Sequence, residues 1–172
     1  VLMLPMFRSR REVERLIELV NSQVMTNLLV ETKQALEMAE IISEIDGVNE
    51  IHFGLNDLHL DFGLKFMFEI VSKNLLEHAC RTYANRGVPF GIGGVARIGQ
   101  GSIPAELVLC EHVRLKSKAV ILSRSFHEKS ESLTDLKKKL DFPLEIKKLR
   151  KFYSVMNEEP QEVLLKNHQL FV

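Results

Sequence analysis

Residues 27–58 read NLLVETKQALEMAEIISEIDGVNEIHFGLNDL, and they contain two short apolar runs joined by an amphipathic stretch. The runs at 26–31 and 50–54 have the length and composition of buried β-strands. Between them, apolar residues recur at helical spacing over 32–45, and an Asp-Gly pair follows as a stop signal. This stretch therefore predicts a strand–helix–strand unit, in which a right-handed crossover joins two parallel strands.

The same alternation of apolar runs and amphipathic stretches extends outward in both directions. Residues 55–63 are polar and punctuated by glycine, which predicts a loop. Because strands alternate with helices, we expect an α/β domain with five parallel strands that are covered by helices. The pattern fits either an open doubly wound sheet or part of a closed barrel. The remaining predicted strands are 1–7, 88–92 and 118–123, and the remaining predicted helices are 9–20, 64–85 and 104–115.

Beyond residue 128 the alternation stops. Helices with no strand between them are predicted over 132–170, where Lys and Leu are frequent. We therefore divide the chain into an α/β domain over 1–128 and a helical extension over 129–172. Because an apolar, strand-like run is already under way at Val1, we expect that the natural chain begins further upstream.

Composition and charge restrict the class of protein. The 172 residues carry 23 basic and 23 acidic side chains, so the net charge is zero and no basic stripe predicts nucleic-acid binding. No apolar run approaches the ~20 residues that a transmembrane helix needs. Cys80 and Cys110 lack disulfide or zinc spacing, which predicts reduced structural thiols. We expect a cytoplasmic protein that binds neither nucleic acid nor membrane and that forms a homo-oligomer to cover an open sheet edge.

Two carboxylates follow neighbouring predicted strands. Glu31 ends the strand at 26–31, and Asp57 follows the strand at 50–54. Because successive parallel strands end at the same edge of a sheet, both carboxylates can face one spot. Carboxylate oxygens with open positions for water and substrate suit Mg²⁺ or Mn²⁺. The structural alternative is that Glu31 caps the following helix and Asp57 closes an Asx turn.

The residues around both carboxylates carry a resemblance to a known family. LVET at 29–32 and GVNEIHFGLNDL at 47–58 resemble the paired motifs of the HpcH/HpaI aldolase and citrate lyase beta-subunit family, in the phosphoenolpyruvate/pyruvate barrel superfamily. The opening Leu4-Pro5-Met6 is similar to the strand just upstream in that family, so the resemblance covers 1–126. It implies the C-terminal part of a (β/α)₈ TIM barrel, with five parallel strands followed by a helical tail.

The resemblance also implies a function. It implies a metal-dependent carbon–carbon lyase or aldolase that acts on a 2-oxo acid through enolate chemistry of the pyruvate or oxaloacetate type. Glu31 and Asp57 would be the catalytic metal ligands, and Gly54, Asn56 and Asp57 would bind the substrate carboxylate. Family members carry an arginine and a histidine on strands upstream of the matched residues, so we expect this chain alone to lack activity.

A glycine-rich stretch, GIGGVARIGQG at 91–101, supplies a second candidate site. Its backbone N–H groups could cradle a phosphate, with Arg97 as the substrate anion ligand, although close backbone packing is the structural alternative. Two other functions stay open: a citrate-lyase-like lyase of an acyl thioester, and a non-catalytic barrel fragment that acts in assembly. His52, inside a predicted strand, is either an acid–base group or packs beneath a helix.

Overall fold

A computed structural model describes residues 1–171 and has an α/β fold. Five strands form one sheet, and each strand is hydrogen-bonded to the one that follows it in the sequence. The register is parallel, with Leu4 beside Leu28 and Val30 beside Phe53. The predicted α/β class with five parallel strands is therefore confirmed. The strands are β1 (Leu2–Leu4), β2 (Thr26–Val30), β3 (Glu50–Phe53), β4 (Phe90–Val95) and β5 (Ala119–Leu122).

Helices fill most of the remaining described chain. The first begins after Ser9, whose hydroxyl accepts from the N–H of Glu12 while the Glu12 carboxylate accepts from the N–H of Ser9. This reciprocal capping box confirms the predicted start of the helix. The helices are α1 (Arg10–Val20), α2 (Lys33–Glu37), α3 (Ala39–Ile42), α4 (Leu55–Asp61), α5 (Glu69–Ser72), α6 (Glu77–Arg86), α7 (Ala105–Arg114), α8 (Leu133–Lys139), α9 (Phe142–Asn157) and α10 (Gln161–Phe171).

Besides the strand predicted at 1–7, of which only Leu2–Leu4 forms, three predicted elements differ from the structure. The predicted helix at 32–45 is interrupted between α2 and α3, and the one at 64–85 is interrupted after α5, where Asn74 has a φ of 56° that an α-helix does not continue through. The predicted loop at 55–63 is wrong because it contains α4. Leu55 and Leu58 supply that helix with a short buried face among polar residues.

The described residues form two compact units. The first contains Val1–Gly93 and Leu115–Ala119. Side chains alternate across its sheet, so that Leu28 and Ile51 share one fully buried face while Asn27 and His52 belong to the other. The apolar face also carries a cluster of aromatic rings, which consists of Phe53, Tyr83 and Phe90. Polar side chains therefore lie on the face opposite the aromatic core.

The second unit contains Gly94–Arg114 and the chain from Val120 onward. Its core is the surface of α7, against which α9 and α10 pack through Cys110, Val113, Met156 and Leu164. Cys80 and Cys110 are both buried, neither forms a disulfide with another described residue, and burial raises the pKa of Cys110 to about 11. The predicted helical tail thus covers α7. Within residues 1–171, no helix combines the length and apolar character needed to cross a membrane.

Candidate functional site

The two predicted metal ligands lie at the C-terminal ends of neighbouring strands. Glu31 directly follows β2, and Asp57 lies in the first turn of α4, which follows β3. The ladder between these strands continues to their ends, because the N–H of Gly54 donates to the carbonyl of Val30 at 2.9 Å. The structure therefore brings Glu31 and Asp57 together at one edge of the sheet.

The Glu31 side chain is held in a mostly buried position. Glu31 is 8% exposed, and its Oε2 accepts a hydrogen bond from the N–H of Met6 at 3.1 Å. It does not cap the following helix, because the hydroxyl of Thr32 accepts from the N–H of Ala35 at 3.0 Å and is the N-cap of α2. The structural alternative for Glu31 is therefore wrong, and its carboxylate needs another explanation.

The carboxyl groups of Glu31 and Asp57 lie near enough to influence each other electrostatically. Burial raises the pKa of Glu31, the N–H of Met6 opposes that rise, and the neighbouring Asp57 side chain raises the pKa further. Among the described residues, no cationic side chain forms an ion pair with either group. A proton or a bound cation would therefore relieve the repulsion between the two carboxyl groups.

Gly54 provides the space that the Glu31 side chain occupies. A Cβ atom at position 54 would stand 2.6 Å from Cγ and 3.1 Å from Oε1 of Glu31. The φ of Gly54 is −84°, which every residue type adopts, so the backbone conformation does not require glycine. Glycine is needed at this position because of the close approach of Glu31.

The first turn of α4 offers backbone donors beside the carboxylates. Gly54 is the N-cap residue and has no side chain that could accept from the first-turn N–H groups. Asn56 is exposed and Asp57 is half-buried, so their N–H groups belong to a turn that solvent or a ligand can reach. These are the donors that the sequence analysis assigned to a substrate carboxylate, and that assignment stays a prediction.

Arg97, the other predicted substrate ligand, lies in the second unit and already has an anionic partner. Its guanidinium forms an ion pair with Glu128. In the same glycine-rich stretch, the N–H of Gly99 donates to Oε1 of Glu106 at 2.9 Å. Arg97 and one backbone donor of the stretch, the N–H of Gly99, are therefore paired with carboxylates of the chain. The φ of 108° at Gly101 shows that part of this glycine content serves the backbone turn.

The surroundings of His52 are those of a buried residue that stabilises the sheet. It is buried in β3, and its Nε2 lies 3.1 Å from the carbonyl oxygen of Gly93. Because a carbonyl only accepts, Nε2 carries the proton in this hydrogen bond. Burial lowers the pKa of His52, although the hydrogen bond opposes this effect. The ring is thus neutral near physiological pH and ties β3 to the end of β4.

Sequence reasoning missed the backbone contribution of Met6. Met6 has a φ of 54°, an uncommon value for a residue other than glycine, and its N–H points to Glu31. This conformation ends β1 after Leu4, so the predicted strand at 1–7 is only three residues long. The pattern of side chains in a sequence does not indicate which backbone N–H group will donate to a distant carboxylate. Only the preceding Pro5, which disrupts a strand, could have indicated that the chain turns here.

The carboxylate pair would supply only part of a metal coordination shell. Among residues 1–171, no group of three or more His, Cys, Asp and Glu side chains is placed to hold a metal ion. An ion at the pair would have two protein carboxylates, with water and substrate in its other positions. Comparison of the sequence with known protein families and with curated proteins gives no match.

Proposed function

We propose that the chain belongs to a divalent-metal-dependent carbon–carbon lyase or aldolase that acts on a 2-oxo acid. The observation that carries the proposal is the placement of Glu31 and Asp57 at the C-terminal ends of adjacent strands, with Glu31 mostly buried. Burial of one carboxylate beside another is costly unless a cation compensates their charge. Mg²⁺ or Mn²⁺ is the compensating ion that best suits two oxygen donors with open positions around them.

The residues of the chain fit such an ion. Glu31 and Asp57 would hold it, the N–H of Met6 orients the Glu31 carboxylate, and Gly54 leaves room for that side chain. When bound, the metal would act as a Lewis acid toward the negative charge that develops on the substrate as the carbon–carbon bond breaks. The first-turn N–H groups of Asn56 and Asp57 would orient the substrate carboxylate.

We further propose that the sheet is the C-terminal part of a (β/α)₈ barrel. Five sequential strands in one parallel sheet, with both candidate ligands at the C-terminal ends, are the features that support this architecture. The resemblance of residues 29–32 and 47–58 to the HpcH/HpaI family supports the same conclusion. In a barrel of this kind, the catalytic residues lie at the C-terminal ends of the strands, where Glu31 and Asp57 are placed.

The acyl-thioester alternative receives no comparable support. It would use Arg97 and the N–H groups of the glycine-rich stretch to bind phosphates. In the structure, Glu106 accepts from the N–H of Gly99, and Glu128 pairs with Arg97, so neither donor is arranged around a phosphate. The 2-oxo acid therefore remains the preferred substrate class, because its small carboxylate and carbonyl need only the Glu31–Asp57 edge.

Titration with Mn²⁺, followed by calorimetry and by the electron paramagnetic resonance signal of the free ion, tests the proposal. We expect Asp57→Asn to weaken Mn²⁺ binding at least about tenfold, since loss of a ligand is at least as damaging as loss of a group that orients one. Asp61→Asn is the matched control. Asp61 lies on the same helix but accepts from the N–H of Lys33 at 2.7 Å. Its replacement should leave Mn²⁺ affinity unchanged.

Equal Mn²⁺ affinity in the wild type and the Asp57→Asn variant would refute the metal assignment. Where Mn²⁺ binds as expected, retro-aldol release of pyruvate is then measured on the complete natural reading frame. Retained binding without turnover over a panel of 4-hydroxy-2-oxo acids would favour the non-catalytic alternative.

A further inference from the structure

The ion pair of Arg97 and Glu128 in the second unit is asymmetric. The Arg97 side chain is 14% exposed, whereas that of Glu128 is 33% exposed. Glu128 contacts the Nη2 atom of the guanidinium, while the buried Nε has no hydrogen-bond partner among the described residues. The guanidinium therefore lies inside, the carboxylate approaches from the solvent side, and one buried donor of Arg97 is left over.

Arg97 is anchored where parallel strands end. Its backbone N–H donates to Oγ of Ser125 at 3.1 Å, and that oxygen lies 3.0 Å from Oγ of Ser123. Arg97 follows β4, and both serines follow β5, the neighbouring strand. The N–H of Ser123 donates to the carbonyl of Val95 at 2.9 Å, which fixes the two strand ends side by side. The C-terminal edge of a parallel sheet is the usual location of ligand sites.

Glu128, in contrast, is carried by a tight turn in an unfavourable backbone conformation. The turn is closed by a hydrogen bond from the N–H of Ser130 to the carbonyl of His127 at 2.9 Å. Its two central residues, Glu128 and Lys129, have φ values of 50° and 49°. Such turns favour Gly, Asn and Asp, and other residues are held there against their preference. The Glu128 carboxylate is therefore presented by a turn that its own residue types do not favour.

We propose that Arg97 binds the carboxylate of a small organic acid, and that Glu128 is an internal occupant which this carboxylate displaces. A buried guanidinium needs an anion, because a buried charge without a partner is strongly unfavourable. A free carboxylate can bridge two donors of a guanidinium in the bidentate geometry. Glu128 contacts only Nη2, so an untethered acid can also engage the buried Nε. The inference uses the second unit alone and does not require a metal ion.

An acetate titration tests this proposal directly, with the Nε–Hε resonance of Arg97 in a ¹⁵N-labelled protein as the readout. We expect Glu128→Gly to bind acetate at least about tenfold more tightly than the wild type, because an internal competitor is removed. Glycine also accepts the positive φ at this position. The resonance itself is assigned by its disappearance in Arg97→Lys.

Two variants serve as matched controls. Lys129→Gly relieves the same turn but keeps the Glu128 carboxylate, and Glu131→Gln removes one negative charge from an exposed position nearby. Both should bind acetate as the wild type does. In the double variant Glu128→Gly with Arg97→Lys, acetate binding is followed by the backbone amide resonances of Ser123 and Ser125. This variant should lose the gain in affinity, since the charge remains but the fork of donors is absent.

Equal acetate affinity in Glu128→Gly and wild type would overturn the proposal, and so would retention of the gain in the double variant. If Glu128→Gly lacks a cooperative melt, Glu128→Gln takes its place. It keeps the size of the side chain and removes its charge, so a smaller gain in acetate affinity is expected and no gain refutes the inference. Glu31 and Asp57 are unaltered throughout, so this outcome is separate from that of the Mn²⁺ experiment.

Discussion

Two buried glutamates, one in each unit, have opposite surroundings. Glu111 in α7 is 3% exposed and lies between Nε of Arg114 at 2.9 Å and Nδ1 of His168 at 3.0 Å. Glu31 is 8% exposed, yet its neighbours are a second carboxyl group, that of Asp57, and one backbone N–H. Both residues are largely buried, but among residues 1–171 only Glu111, of the two, is paired with basic side chains.

This difference separates a structural charge from a candidate functional one. Glu111 joins α7 to α10 through His168, so its interactions stabilise the packing of the helical tail. Glu31 forms no such link between helices. Its ionised form is unfavourable because the carboxyl group of Asp57 lies beside it. Groups whose charge is left uncompensated at a strand end are typical of ligand sites. The comparison therefore indicates a structural role for Glu111 and supports the ligand role proposed for Glu31.

The largest loss of stability should come from replacing Glu111, the buried glutamate that is paired with basic side chains. Glu111→Gln removes the carboxylate next to Arg114, whose side chain is only 9% exposed. Because a buried guanidinium then loses a close counter-charge, we expect the free energy of unfolding to fall by about 3 kcal/mol. Urea unfolding followed by circular dichroism measures the change.

The control for this substitution is an exposed pair of the same chemistry. Glu14 pairs with Arg10 at 2.6 Å on α1, where both side chains are well exposed. Glu14→Gln should cost less than about 1 kcal/mol, because solvent screens such pairs. Similar losses in the two variants would mean that burial does not strengthen the Glu111 interactions, and the contrast with Glu31 would lose its basis.

The position of Glu31 and Asp57 could be predicted because it depends on local patterns. Each apolar run specifies a strand, each amphipathic stretch specifies a crossover, and parallel order then places successive strand ends together. The resemblance of the flanking motifs selected these two carboxylates among many. Nothing beyond the order of the elements was needed to bring them to one edge.

The partners of the charged groups could not be predicted in the same way. Glu111 and His168 are separated by 57 positions, and Arg97 and Glu128 by 31, with no helix or strand periodicity that relates either pair. The donor to Glu31 is the backbone N–H of Met6, which any residue except proline would supply. Helix ends depend on single φ angles, as at Asn74, which apolar spacing does not record.

A second, intermediate effect is expected at Gly54. In Gly54→Ala the new Cβ would meet Cγ of Glu31 at 2.6 Å, so the Glu31 side chain must move away from its position. We expect a loss of about 1–3 kcal/mol in the free energy of unfolding from this overpacking. Mn²⁺ affinity should also fall at least about tenfold, since the orientation of one ligand is lost.

Gly63→Ala is the control for Gly54→Ala. Gly63 has a φ of 68°, and a Cβ added there would meet no atom within 4 Å, so its replacement adds backbone strain without a steric clash. It should lower stability and leave Mn²⁺ affinity unchanged. Wild-type Mn²⁺ affinity in Gly54→Ala would contradict the role of the Glu31 orientation in the proposed site.

The smallest change in stability is expected for Glu31→Gln, and it should be a gain, whereas Glu111→Gln should cause a loss. Burial and Asp57 raise the pKa of Glu31 above 4.5, so the folded protein holds this proton more tightly than the unfolded chain does. The wild type therefore loses stability as pH rises from 4.5 through the folded-state pKa. Glu31→Gln removes this loss, and its amide can still accept from Met6 and can donate to Asp57.

In the presence of a chelator we therefore expect Glu31→Gln to stabilise the protein at neutral pH by less than about 1 kcal/mol, the scale of one hydrogen bond. The gain should vanish at acid pH, where Glu31 is protonated in both states. Mn²⁺ should reverse the order, because an ion that binds only the folded wild type raises its free energy of unfolding by mass action. Urea unfolding at both pH values, with chelator and with Mn²⁺, measures all three effects. A destabilised Glu31→Gln variant at neutral pH without metal would show that Glu31, like Glu111, is a structural charge, and the distinction between the two glutamates would fail.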